Sequence, residues 1–193
     1  MREIDIRQAL RQEMARAHLR APDTLIVEEL GLCQGIARVD LAVVNGTVHG
    51  YEIKSEQDTL ARLPGQIDVY SRTLEFVTIV TAPAHAENIR KIVPQWWGIW
   101  YAVPAGDGIR IQKARACRRN PKVDPFAIAQ LLWREEALQV LCDYGIATGM
   151  RGKRREELWR RLASDLSLRE LSSVVRENLK RRGAEWRVPS PGV

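Results

Sequence analysis

Cysteine is scarce in this 193-residue chain: Cys33, Cys117 and Cys142 stand far apart, with no Cys-x-x-Cys pair. That excludes a disulfide framework and a cysteine-built zinc site, leaving buried or free thiols. Histidine is equally rare. His18, His49 and His85 are scattered without ligand spacing, and no Ser-His-Asp or Cys-His arrangement for nucleophilic catalysis can be drawn through them. No Gly-x-x-x-x-Gly-Lys loop occurs, so nucleotide hydrolysis is not indicated. No apolar run approaches the ~20 residues of a membrane span, and the opening MREIDIRQAL lacks the apolar centre of a signal peptide. The expected compartment is the cytoplasm, with no membrane partner.

What the chain does have is a globular balance, 45% hydrophobic and 28% charged residues, enough to build a buried core. Its length suits one domain, or a core of about 120 residues with an appendage. The charge is unevenly spread. Residues 1–150 hold 18 Lys and Arg against 18 Asp and Glu, whereas residues 151–193 hold 12 against 6, so the whole formal +6 lies in the last 43 residues. A second basic concentration, Arg110, Lys113, Arg115, Arg118, Arg119 and Lys122, contains no acid. Two such patches point to an anionic partner, nucleic acid being the commonest. The alternative is a set of solvated, arginine-rich faces.

Periodicity predicts a helix capped by Asp5, with Ile6, Leu10, Met14 and Ala17 as its stripe, running to Arg20. A strand over 24–32 carries Glu28 and Glu29, and Gly35 marks the turn after it. Strands over 39–44 and 47–54 flank Asn45-Gly46, a type I′ hairpin signal. A helix is expected over 56–73, interrupted by Pro64-Gly65, then a buried strand over 76–81, a short helix over 84–93, and strands over 99–103 and 109–112. From Asp124 the pattern is all helical: one helix to Tyr144, a second over 153–166, and a third opened by the capping box Ser167–Glu170 and stopped by Gly183. The reading is an α/β (α+β) core over 1–122, a basic helical module over 123–186 and a flexible tail over 187–193.

Chemistry concentrates on the hairpin. Asp40 lies on the outgoing strand, and Glu52 and Lys54 lie two apart on the returning one, which puts both on one face. Two carboxylates on adjacent strands can converge on Mg²⁺, which takes only one or two protein carboxylates and completes its shell with water and phosphate. A lysine beside them can steady an attacking hydroxide or the charge developing at phosphorus. Glu29 can add a third carboxylate. The alternative is a surface hairpin bearing a cross-strand ion pair.

The stretch Glu29-Leu-Gly-Leu-Cys-Gln-Gly35-Ile-Ala-Arg38-Val-Asp40, followed by Tyr51-Glu-Ile-Lys-Ser55 and Gln66-x-x-x-Tyr70, resembles the PD-(D/E)XK nuclease superfamily, and within it the sce7726 family. The likeness covers about residues 3–103 and implies a restriction-endonuclease-like αβββαβ core. By the same resemblance Asp40 and Glu52 would be metal ligands, Lys54 the catalytic lysine, and Glu29 the extra acidic ligand, with Glu28 and Glu13 as alternatives. Gln66 and Tyr70 would form a polar pair behind the site, with Arg38, Ser55 and Arg62 near the phosphate backbone. No proline precedes Asp40, where the superfamily pattern has one.

Residues 138–162 bear a faint resemblance to a SAP-type helix-loop-helix DNA-binding motif, in which Lys153, Arg154 and Arg155 would meet phosphates, as would Lys113, Arg115, Arg118 and Arg119. Trp96, Trp97 and Trp100 could stack on bases, but their spacing favours packing in the core or at an interface. The expectation is therefore a Mg²⁺- or Mn²⁺-dependent nuclease that hydrolyses phosphodiester bonds in DNA, with a homodimer as one way to supply the two sites that cutting both strands usually takes. The alternative is a non-catalytic nucleic-acid-binding accessory protein of a phage or mobile element on the same fold.

Overall fold

The computed structural model describes residues 1–183 apart from Pro22 and Asp107. The expected tail lies outside the described residues. The elements follow in the order α1 (Glu3–Ala17), β1 (Leu25–Leu32), β2 (Ala37–Val44), β3 (Val48–Lys54), α2 (Leu63–Thr73), β4 (Phe76–Thr81), α3 (Ala86–Ile92), β5 (Gly98–Ala105) and β6 (Gly108–Arg115). The helices α4 (Pro125–Ala129), α5 (Arg134–Asp143), α6 (Arg155–Asp165) and α7 (Leu168–Arg182) come next. The fold is mixed α/β, and its first six elements have the expected αβββαβ order.

The six strands form one sheet in chain order. β1, β2 and β3 pair antiparallel, β3, β4 and β5 run parallel, and β6 returns antiparallel on β5. The parallel pairs need crossovers, which α2 and α3 provide. On one face, Ile6, Leu10 and Met14 of α1 pack against Leu41, Val43, Tyr51 and Ile53. On the other, a single apolar cluster joins the sheet and α2 to the C-terminal helices, from Val27 and Val44 through Tyr70 to Leu158, Leu171 and Leu179.

Several boundaries differ from the sequence reading. Asp5 sits inside the first turn of α1, where its carboxylate accepts the Arg2 backbone N–H at 3.3 Å, and the helix closes at Ala17. The Asn45-Gly46 turn is a three-residue loop closed by the Val44–Val48 pair, and only Gly46 has a left-handed backbone, so it is not type I′. α2 begins at Leu63: Pro64 opens the helix, because a missing N–H costs nothing in a first turn. The long helix foreseen from Asp124 is two, since Trp133 takes an extended backbone and α5 restarts there, with Glu136 accepting the Trp133 N–H at 2.8 Å. Asp124 does cap α4, accepting the Phe126 N–H at 2.9 Å ahead of Pro125. The three tryptophans are packing residues: Trp97 is fully buried and stacks on Tyr70, Trp100 is buried on the opposite face against Tyr51, and Trp96 meets Trp97 edge-on. Among the described residues no helix is long and apolar enough to cross a membrane.

Candidate functional site

The site opens where the β2–β3 ladder stops. Backbone pairing ends at Leu41–Tyr51, so Asp40 and Glu52 are the first facing residues beyond it. Ile53, paired with Val80 of β4, has no ladder partner on the β2 side, and the Asp40 carboxylate takes its N–H at 2.7 Å. On β1, Glu29 falls opposite Asp40, between the Glu28–Leu41 and Leu30–Val39 pairs. Glu29 has φ +57°, a left-handed backbone that is costly for a residue with a Cβ and therefore held by its surroundings. Three carboxylates thus line up across three neighbouring strands.

Glu52 is 2% and Lys54 4% exposed, both on the β3 face that meets α2. Burial of a carboxylate is costly unless it is paired and hydrogen-bonded, and three neighbours supply donors. Lys54 Nζ donates to Glu52 Oε1 at 2.7 Å, Gln66 Nε2 to the same oxygen at 2.6 Å, and the Tyr70 hydroxyl stands 2.6 Å from Oε2. Tyr70 also reaches the Arg38 carbonyl at 2.7 Å, and with one proton it donates to one acceptor at a time. Burial, then the Glu52 charge, raises the Tyr70 pKa and keeps the phenol protonated. Gln66 Oε1 is buried with no hydrogen-bond partner.

Asp40 is pushed up to about pH 7, first by burial and then by the Glu52 charge; its hydrogen bond from Ile53 and the Arg7 cation pull the other way. The carboxylates, Arg7, Lys54, Gln66, Arg38 and Arg62 line one cavity of about 740 Å³. Sequence reasoning missed Arg7, Glu3 and Asp58. Arg7 follows the buried Ile6 on α1, which turns it toward the sheet edge, and Asp58 tethers Ser55 through its N–H at 2.7 Å and its hydroxyl at 2.6 Å.

The donor set is hard oxygen, and Asp40 and Glu52 lie close enough to repel, which suits a hard divalent cation held by few protein ligands. Among the described residues no group of three or more His, Cys, Asp or Glu side chains is gathered as a metal cage. Glu29 is engaged instead by Arg7 at 2.8 Å and Arg38 at 3.7 Å. The alternatives lie elsewhere, Glu28 paired with Arg11 at 2.6 Å and Glu13 with Lys113 at 3.2 Å.

The basic candidates divide. Arg38 and Arg62 stand at the cavity, and Arg155 donates at 2.6 Å to Oε1 of Gln34, the neighbour of the lining residue Gly35; Lys153 and Arg154 are not among the residues that line it. The patch before α4 is not gathered there. Lys113 lies over the Trp100 ring on the α1 face, Arg115 donates to the Trp97 and Pro94 carbonyls at 2.8 and 2.9 Å, the Arg118 backbone N–H bonds the Trp96 carbonyl at 2.7 Å, and Arg119 pairs with Glu75 at 2.7 Å.

Comparison with known proteins corrects the family expectation. The matching family description is bacteriophage P4 protein cII, over residues 1–186. Protein cII of Enterobacteria phage P4 is 31% identical over 185 residues, covering 94% of this chain and 68% of that protein. A protein of unknown function from Silicibacter pomeroyi is similar at TM-score 0.43 and 21% identity, over 76% of this chain and 94% of that one, a likeness too slight to argue from. The PD-(D/E)XK and sce7726 resemblance rested on motifs within residues 29–70, the end of β1, the β2–β3 hairpin and α2, and such a short arrangement of acids and lysine is not diagnostic of ancestry. The family match runs through the C-terminal helices as well, and the chain belongs to the bacteriophage P4 protein cII family.

Proposed function

We propose that this protein hydrolyses phosphodiester bonds in nucleic acid, DNA in the first instance, with the help of Mg²⁺ or Mn²⁺. One observation carries the reading: Asp40 and Glu52 face each other beyond the end of a strand ladder, with buried Lys54 2.7 Å from Glu52 Oε1, in a cavity rimmed by arginines. A surface ion pair would need neither the burial nor the cavity. Asp40 and Glu52 would hold the cation, with Glu29 as the third acid. When bound, the cation lowers the pKa of a water and offsets phosphate charge. Lys54 orients the attacking water and faces the negative charge that builds up at phosphorus. Gln66 Nε2 and the Tyr70 hydroxyl hold Glu52 in place. Arg38, Arg62 and Arg155, with Lys153 and Arg154, meet backbone phosphates, giving salt-dependent binding with little sequence preference.

The test incubates wild type and Lys54→Ala with single-stranded, duplex and branched DNA plus Mg²⁺ or Mn²⁺. Cleavage by wild type that is lost in the variant and abolished by chelator is expected. No cleavage by either, with a band shift retained at low salt, would replace this reading with non-catalytic binding.

A further inference from the structure

Arg7 occupies the acidic corner of the site. Its guanidinium reaches Glu3 at 2.5 Å, Glu29 at 2.8 Å, Asp40 Oδ1 at 3.2 Å and the Asp40 carbonyl at 3.0 Å. The side chain is only 13% exposed, so this is no loose surface pairing. A planar fork with five donors can bridge several carboxylates at once, as a lysine cannot. Lys54 meanwhile serves Glu52. Five acids line the cavity: Asp58 is held by Ser55, and Glu3, Glu29, Asp40 and Glu52 each have a contact from one of two cations, Arg7 or Lys54.

We propose that Arg7 is a resident counter-cation, holding Asp40 and Glu29 in the absence of metal and competing with a divalent cation for them. This rests on the metal-dependent reading above. Arg7 and the ion want the same oxygens, so entry of the ion breaks the Arg7–Asp40 and Arg7–Glu29 contacts. Glu3, one turn earlier on α1, keeps hold of the displaced guanidinium at the cavity wall. From there it faces the entering phosphate rather than the carboxylates, so Arg7 opposes metal binding and then assists the substrate.

A merely positioning arginine predicts the opposite sign: without it the two acids would spread apart and metal would bind more weakly. Mn²⁺ binding to the full chain without DNA, followed by the electron paramagnetic resonance signal of free Mn²⁺, separates the two. Arg7→Gln is expected to bind Mn²⁺ roughly tenfold more tightly than wild type, and Arg7→Lys, which keeps the charge but loses the fork, by an intermediate factor. In nucleic-acid binding at saturating Ca²⁺, Arg7→Gln is expected to be several-fold weaker. Unchanged or weaker Mn²⁺ binding in both variants, with wild-type binding intact, overturns this inference and leaves the metal reading standing. No Mn²⁺ binding in any of the three removes both.

Discussion

Removing the ammonium from the buried Glu52–Lys54 pair tests whether the site is built at the expense of the fold. At 2.7 Å and an effective dielectric of 20, the attraction is about 6 kcal/mol before desolvation is subtracted. Deleting one partner of a buried pair costs about 3–5 kcal/mol, because the other charge stays behind in the protein. Glu52 keeps Gln66 and Tyr70 as donors, each contributing about 1.5–3 kcal/mol to a charged acceptor, which favours the lower end. Lys54→Met should therefore lower unfolding free energy by about 3 kcal/mol, roughly 6–12 °C in melting temperature for a chain of this size. Adding Glu52→Gln removes the stranded charge and should recover at least about 1.5 kcal/mol, a coupling read from urea unfolding of wild type, both single variants and the double variant. Additivity of the two substitutions would refute the buried-pair reasoning, because independent losses mean the carboxylate and ammonium are not felt by each other.

Two further tests concern the rest of the molecule. His49 is pulled down to about 4 from 6.5, by burial first and His18 second, so its contribution is complete above pH 6.5 and lost as pH falls toward 4; Asp40, raised from 3.8 to about 7, contributes below pH 4 and loses that contribution as pH rises through 7. The two slopes oppose, each about 3–4 kcal/mol in full, so in chelator wild-type stability should be nearly flat over pH 4–6.5, falling with pH in His49→Gln and rising in Asp40→Asn; urea midpoints that slope alike in all three count against the assignment. Glu75, 3% exposed, accepts the Val48 N–H at 2.9 Å and pairs with Arg119 at 2.7 Å and Arg176 at 3.5 Å, so Glu75→Ala should cost about 2–4 kcal/mol and Glu75→Gln clearly less in the same unfolding assay.

The sheet is legible in the sequence because its strands are short valine- and isoleucine-rich runs separated by turn residues, and residues 76–81 match β4 end to end. Glu52 and Lys54 share a face because a strand alternates, which needs no tertiary information. What sequence cannot show is which side chain replaces a missing backbone partner. That Asp40 caps Ile53 depends on where the β2–β3 ladder ends, and that Glu29 sits opposite Asp40 depends on the register of β1. Arg7 is missed for a related reason: it lies 22 and 33 residues before the sheet acids it meets, Glu29 and Asp40, and carries no motif of its own. The start of α2 fails differently, since one proline can interrupt a helix or open it, and only the chain on either side decides.

The division between core and helical module misleads in one respect that bears on the site. Tyr70, which holds Glu52, stacks on Trp97 and belongs to the same apolar cluster as Leu132, Trp159 and Leu171. Trp159 Nε1 donates to the Leu132 carbonyl at 3.0 Å, Arg182 pairs with Glu136, and Arg176 crosses to Glu75 at the start of β4. The C-terminal helices thus form the wall against which α2 is pressed, and α2 sets the height of Gln66 and Tyr70 over β3. A motif confined to residues 29–70 describes the chemistry at the sheet edge but not what fixes its geometry. The family match extends through these helices, as expected when the packing that orients Glu52 is spread over the length of the chain.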